Sequence, residues 1–289
     1  MPFGLRNAGM TFQRLMDSIL GHLPHAFVYL DDILVASLDL SSHRRHLEEV
    51  FTALNANGLV VNTDKCVFAV STVEFLGHRL SAAGISPLQS RVSAIAAFPQ
   101  PQTVRQLQAF LGLFNYYRRF IPAAARIVRP LTQALRGGPK GSQALSWSVA
   151  MSDSFQAARS ALSASATLDH PTAGAKISLV TDASATHVGA VVQQQRPGQR
   201  WRALGYFSAQ LDKAQVNYSA FDRELFAVVA AIRHFRFMLE GRSFVVFTDH
   251  KPLVGALSRR SEPWTARQQR HLSFIAEFTA TVRHISGES

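Results

Sequence analysis

Cysteine is almost missing from this 289-residue chain: Cys66 stands alone. One thiol cannot close an intramolecular disulfide, so the fold must rest on packing, and an intracellular, reducing compartment is expected. Cys66 itself reads as a small buried hydrophobe. No apolar run approaches the ~20 residues that a membrane-crossing helix needs, so no membrane partner is expected. Met1 is followed at once by Pro-Phe-Gly-Leu-Arg. That lacks the basic start and apolar segment of a signal peptide. His22, His25, His43 and His46 include a pair at three-residue spacing, but no cysteine or third ligand completes a zinc set. There is no internal repeat and no low-complexity tract. What is present is 47% apolar and 17% charged, the composition of a chain that buries a core, with room for two or three small domains.

Acids are scarce where bases are common. Residues 1–80 hold six Lys/Arg against eight Asp/Glu, residues 81–173 nine against two, and residues 174–289 fifteen against nine. The net charge of +11 therefore lies in the last two thirds. Such a surface suits a polyanion, most simply nucleic acid, with solubility as the plainer alternative.

Apolar spacing predicts a helix over Thr11–Leu20, two β runs in Phe27–Ala36 broken at Asp31-Asp32, and a helix over His43–Leu54 closed by Asn57-Gly58. Leu59-Val60-Val61 and Val73–Leu80 read as short strands. Ser86-Pro87 reads as a helix start, and Thr103 with Gln106 as the capping box of the next helix. Arg136–Ser142 reads as a linker, followed by a helix around Met151–Leu162, and Pro171–Ala175 as a loop at a domain boundary. Three strands follow (177–181, 188–193, 202–207), then a long helix over Ser219–Leu239 capped by Ser219 and Asp222. The strand Phe244–Thr248, helices over Leu253–Leu257 and Thr265–Phe274, and a strand over Thr279–Ile285 complete the chain. A strand beyond the long helix that lies parallel to the first describes a mixed-sheet α/β domain.

Two groups of carboxylates carry chemistry. Asp31 and Asp32 sit together among apolar strand residues, Phe27-Val28-Tyr29-Leu30 before and Ile33-Leu34-Val35 after. Adjacent carboxylates repel unless a cation lies between them, and oxygen-only ligands favour Mg²⁺; an exposed hairpin turn would also accommodate the pair. The second group is dispersed: Asp182 at the end of the first strand of the last domain, Glu224 early in the long helix, and Asp249 at the end of the strand expected beside the first. Ala227 and Ala231 on the face of Glu224 let the helix approach the sheet, so that the three acids converge. Converging carboxylates need cations, and paired divalent metals are a recurring solution for phosphodiester hydrolysis.

The blocks Met1–Ala8, Thr11–Met16, Tyr29–Val35, Glu74-Phe75-Leu76-Gly77-His78 and Phe110–Pro122 together resemble the palm and thumb of gypsy-type LTR-retrotransposon reverse transcriptases. The stretches Thr181–Ser184, Arg223-Glu224-Leu225 and Thr248-Asp249-His250 resemble the ribonuclease H domain of the same elements. The resemblance runs in order over essentially the whole chain. It implies α/β (α+β) architecture: a palm over 1–80, a helical thumb over 81–135, a linker or connection over 136–173 and a ribonuclease H-like domain over 174–289. It also implies RNA-directed DNA polymerase and ribonuclease H activities, Mg²⁺ (or Mn²⁺) as cofactor, and RNA template, DNA primer, RNA/DNA hybrid and dNTP as partners.

Residue by residue, the resemblance makes Asp31, Asp32, Asp182, Glu224 and Asp249 catalytic metal ligands. It places Phe3 and Gly4 beside the incoming nucleotide, and Phe75, Leu76 and Gly77 at the primer end. Arg118 and Arg119 would lie near the template–primer backbone, or else at a solvated helix end. Tyr218, His250 and Lys251 would neighbour the ribonuclease H site, in functional or structural roles. Ala185 stands where the family often has a polar residue. The family's other palm aspartate lies upstream of Pro2-Phe3-Gly4 and a further acidic ligand lies beyond Glu288, so the chain reads as clipped at both ends, with polymerisation by this piece alone not expected. A non-catalytic nucleic-acid-binding remnant or a host-adopted fragment is the alternative.

Overall fold

In the computed structural model, which describes residues 6–256, 264–278 and 281–286, the chain divides into a unit over 1–75 and a unit over 76–289. The first contains α1 (Ala8–Leu20), the strands β1 (Ala26–Tyr29) and β2 (Asp32–Val35), α2 (Leu40–Ala56) and β3 (Thr72–Phe75). Met16, Ile19 and Leu20 of α1 pack with Val50 and Leu54 of α2, and Val28, Ile33 and Val35 of the β1–β2 hairpin lie against them. Asp39 caps α2 by accepting the Ser42 N–H at 2.8 Å. The strand expected at Leu59-Val60-Val61 does not form. The Leu59 N–H is spent on the Leu54 carbonyl at the end of α2, and Val60 is fully exposed. Cys66 is half-exposed rather than buried, with its thiol against the Asn62 carbonyl.

The second unit opens with the hairpin of β4 (His78–Ser81) and β5 (Gly84–Pro87). Ser86 and Pro87 belong to this hairpin, opposite Arg79 and His78. The expected helix start therefore moves to Leu88, the N-cap of α3 (Gln89–Ala96). Then come α4 (Val104–Tyr116), with the Thr103–Gln106 capping box in place, α5 (Ala124–Ile127), α6 (Arg129–Gln133) and α7 (Val149–Ser163). Phe110, Phe114 and Phe120 share one core with Leu131, Phe155 and Leu162, so α7 packs with the preceding helices.

The remainder is built on a five-stranded sheet: β6 (Lys176–Ala183), β7 (His187–Gln195), β8 (Arg202–Gln210), β9 (Phe244–Thr248) and β10 (Val282–His284), in the order β10-β9-β6-β7-β8. β6, β7 and β8 are antiparallel neighbours, while β9 runs parallel to β6 and β10 parallel to β9. Helix α8 (Ala220–His234) covers one face, where Leu225, Val228 and Ile232 meet Leu179, Val192, Leu204 and Val246. The long helix expected to reach Leu239 breaks at Phe235, whose buried ring fits against Gly205, and resumes as α9 (Arg236–Leu239). Helices α10 (Lys251–Ala256) and α11 (Ala266–Phe278) complete the domain. The architecture is α/β with a mixed sheet. No described helix is long and apolar enough to cross a membrane.

Candidate active site

Strand register creates the site. β6 and β9 are parallel and paired, with Val180 opposite Phe247, so Asp182 and Asp249 leave neighbouring strands at the same edge of the sheet. Glu224 reaches that edge from α8, whose small residues Ala227 and Ala231 are buried and allow close approach. Each of Asp182, Glu224 and Asp249 offers an oxygen, and the three oxygens lie within 4.8 Å of one another.

Glu224 is the buried member, 6% exposed, while the two aspartates face solvent. Its Oε1 accepts the Ala183 N–H at 3.1 Å, and its Oε2 is buried without a hydrogen-bond partner. Burial pushes its carboxyl up to about 7, with repulsion from Asp249 and Asp182 adding to the effect and the Ala183 N–H opposing it. A buried carboxylate with an unsatisfied oxygen between two others needs a proton or a cation. The all-oxygen donor set fits a hard divalent cation.

The first turn of α8, two residues before Glu224, is fixed by side chains. The Ser219 hydroxyl accepts the Asp222 N–H at 3.1 Å and donates to Asp222 Oδ2 at 2.8 Å. Gln268 donates to Asp222 Oδ1 at 2.9 Å, and Arg267 lies 3.3 Å from Oδ2. Burial alone would raise the Asp222 carboxyl, but these partners outweigh it and hold it below the usual carboxylate range. Arg267 also stacks on the Tyr218 ring, and Arg223 donates to the Tyr218 carbonyl. This bracket of Asp222, Arg267 and Gln268 escaped the sequence reading, because its halves lie far apart in the chain. The one available signal was the Thr265–Gln268 cap of α11. His250 bonds through its N–H to Thr248 Oγ1, and Lys251 begins α10.

Asp31 and Asp32 lie in the first unit at the β1–β2 turn, Asp32 opposite Tyr29, both exposed. Gln13 fixes the turn by accepting the Leu30 N–H at 2.7 Å and donating to the Val28 carbonyl. Leu30 is left-handed, φ 52°, an unfavourable conformation for leucine that persists only where surroundings impose it. Leu76 and Gly77, both left-handed, turn the chain from β3 into β4. A Cβ on Gly77 would come within 2.9 Å of the Tyr116 hydroxyl, which bonds to the Leu76 carbonyl. Phe75 ends β3. Arg118 donates to the Ser208 carbonyl of β8, and Arg119 lies over the Phe120 ring. Phe3 and Gly4 lie outside the described residues.

The site and fold define a reverse transcriptase segment joined to an RNase H-like domain. Residues 1–80 match the family described as reverse transcriptase (RNA-dependent DNA polymerase), and residues 172–278 match the RNase H-like domain found in reverse transcriptase. The Tf2-3 and Tf2-7 transposon polyproteins of Schizosaccharomyces pombe are 33% identical over 293 residues, spanning 100% of this chain. Within that class, the chain is similar over its whole length to these transposon polyproteins. It spans 22% of the length of those two relatives. Two solved structures share the fold. The foamy viral protease-reverse transcriptase in complex with RNA/DNA hybrid has a TM-score of 0.84 at 21% identity, over 99% of this chain and 39% of that one. The same protein in complex with dsDNA has a TM-score of 0.82 at 21% identity, over 99% and 60%.

Proposed function

We propose that the carboxylate triad hydrolyses the RNA strand of an RNA/DNA hybrid. Asp182, Glu224 and Asp249 would hold Mg²⁺ or Mn²⁺. When bound, such cations supply an activated water and stabilise the leaving oxygen. The observation that carries this reading is the buried, unsatisfied Oε2 of Glu224 beside two further carboxylates. The chain's own part is positioning: the Ala183 N–H orients Glu224, the Asp222 bracket fixes the first turn of α8, and the parallel β6–β9 pair sets the spacing of the aspartates.

The same reading makes residues 1–80 a palm segment, in which Asp31 and Asp32 would serve a polymerase centre with Phe3, Gly4, Phe75, Leu76 and Gly77 beside dNTP and primer. Residues 81–135 would be the thumb, carrying Arg118 and Arg119 near an RNA template and DNA primer, and residues 174–289 the ribonuclease H domain. The setting would be intracellular and reducing. The foamy viral relatives were solved with dsDNA and with RNA/DNA hybrid, which supports nucleic acid as the partner here.

Cleavage of a labelled RNA/DNA hybrid with Mg²⁺ and with Mn²⁺ tests the reading. Wild type should cut the RNA strand only when metal is present, and Asp182→Asn and Glu224→Gln should not cut. Equal cleavage by wild type and Asp182→Asn would assign the activity elsewhere. The charge of +13 over residues 81–289 favours hybrid binding even without turnover. If six phosphates are engaged, log K should fall against log salt with a slope of about −5.

A further inference from the structure

The hairpin that carries Asp31 and Asp32 is fastened at its base by histidines that the carboxylate chemistry does not use. His25 stands just before β1 and Ser37 just after β2, and the Ala36 N–H donates to the His25 carbonyl at 3.0 Å, so the two ends lie side by side. Both ends are tied to α2. His43, His46 and Glu49 recur at three-residue intervals and so share a face of that helix. The Ser37 hydroxyl lies 2.8 Å from His46 Nδ1 and 3.1 Å from His43 Nδ1. The His25 ring lies flat on the His46 ring, with centroids 3.8 Å apart and planes inclined by 7°. Only 9% of the His25 side chain is exposed, and its Nε2 stands 3.3 Å from Glu49 Oε2. Among the described residues only the carboxylate triad brings three ligand atoms within 4.8 Å of one another, so this cluster handles protons rather than a metal.

We infer that the stacked His25–His46 pair is an acid-sensitive latch on the β1–β2 hairpin, closed while at most one ring is charged and opened by a second proton. Two imidazolium rings at this separation repel, so the pair titrates as a unit and resists its second proton. With the proton on His25, Glu49 completes an ion pair, and the second charge falls to His46. The titratable and charged groups around His46 are His25 from the loop before β1 and His43, Arg45 and Glu49 from α2. Burial, then His25 and Arg45, hold His46 below its ordinary range. Glu49 opposes them, but its carboxylate is shared with His25 and with Arg45, 3.8 Å away. A histidine that is neutral in the fold and charged outside it withdraws stability as pH falls. The loss is local here. A protonated His46 cannot accept from the Ser37 hydroxyl, and repulsion parts the rings, while Val28, Ile33 and Val35 keep the hairpin packed on α1 and α2. Presentation of Asp31 and Asp32 thus becomes conditional on pH, independently of the triad and its chemistry.

Hydrogen exchange on the full chain, read by mass spectrometry, tests the latch. After correction for intrinsic rates, amides of β1 and β2 should exchange at least about fivefold faster near pH 5 than near pH 7, while those of β6 and β7 should not speed up. His25→Phe keeps a flat ring against His46 and removes one of the two charges, so it should abolish the acceleration. If wild type exchanges alike at both pH values, or if His25→Phe speeds up in acid as much as wild type, the inference is overturned. Imidazole NMR gives a reading that needs no variant. His25 and His46 should titrate in two separated steps, the lower one at His46, and coincident midpoints would equally overturn the latch.

Discussion

The two carboxylate groups of this chain are built in opposite ways. Asp31 and Asp32 are adjacent in sequence, exposed on a short turn, and fixed by one side chain, Gln13, from a neighbouring helix. Asp182, Glu224 and Asp249 come from three elements and surround a buried carboxylate with an unsatisfied oxygen. The cores differ likewise. Among the described residues, five buried side chains form the main cluster of the first unit and seventeen the cluster beneath the ribonuclease H-like sheet, so only the second can impose an expensive arrangement on its acids. A site held by local turn geometry needs little core. A site that forces like charges together needs a rigid one.

Substitution of the acids gives the sharpest contrast. Asp182→Asn should lower metal-dependent cleavage of an RNA/DNA hybrid by at least ~100-fold, and Asp31→Asn should leave it unchanged. A comparable loss from Asp31→Asn, read by single-turnover cleavage, would break the distinction between the two groups.

Acidity gives the next contrast. Glu224 is held at about 7, against the 4.5 of an ordinary glutamate. Below pH 4.5 it is protonated in both folded and unfolded chains and costs nothing. Above pH 7 it is ionised in both, and the folded state bears the penalty. Metal-free protein should therefore lose up to about 3 kcal/mol as pH rises through that window. Glu224→Gln should remove the loss, raising the melting temperature at pH 8 but not at pH 4, and Mn²⁺ should stabilise wild type most at the higher pH. A variant that melts with wild type at pH 8 in chelator would show that Glu224 is not strained.

The Asp222 bracket at the start of α8 comes third. Asp222→Ala strands Arg267 and Gln268 and takes the acceptor from the Ser219 hydroxyl, which should cost about 2 kcal/mol in denaturant unfolding and also slow cleavage. Stability lost with cleavage intact would make the bracket purely structural. The smallest effect belongs to the first unit. Gln13→Ala leaves the Leu30 N–H without its partner and should cost about 1 kcal/mol, visible as faster amide exchange at the β1–β2 turn and not in the sheet of the second unit.

The sequence by itself determined whatever depends on neighbours in the chain. The carboxylate pair between two apolar runs marked the β1–β2 hairpin, the Thr103–Gln106 spacing marked the start of α4, and Asp182, Glu224 and Asp249 stood out because each lies at or near an element end. Local readings failed where a distant partner competed. Ser86-Pro87 has the form of a helix start, yet pairing with β4 claims it for a strand. Leu59-Val60-Val61 is β-prone, yet the end of α2 takes the Leu59 N–H. Only the tertiary structure decided that Glu224 is buried with one oxygen unsatisfied, that Gln268 reaches Asp222, and that His25 lies on His46. Burial and unmet hydrogen bonds depend on which atoms displace water around a group. Those atoms come from segments whose separation in sequence carries no record of their contact.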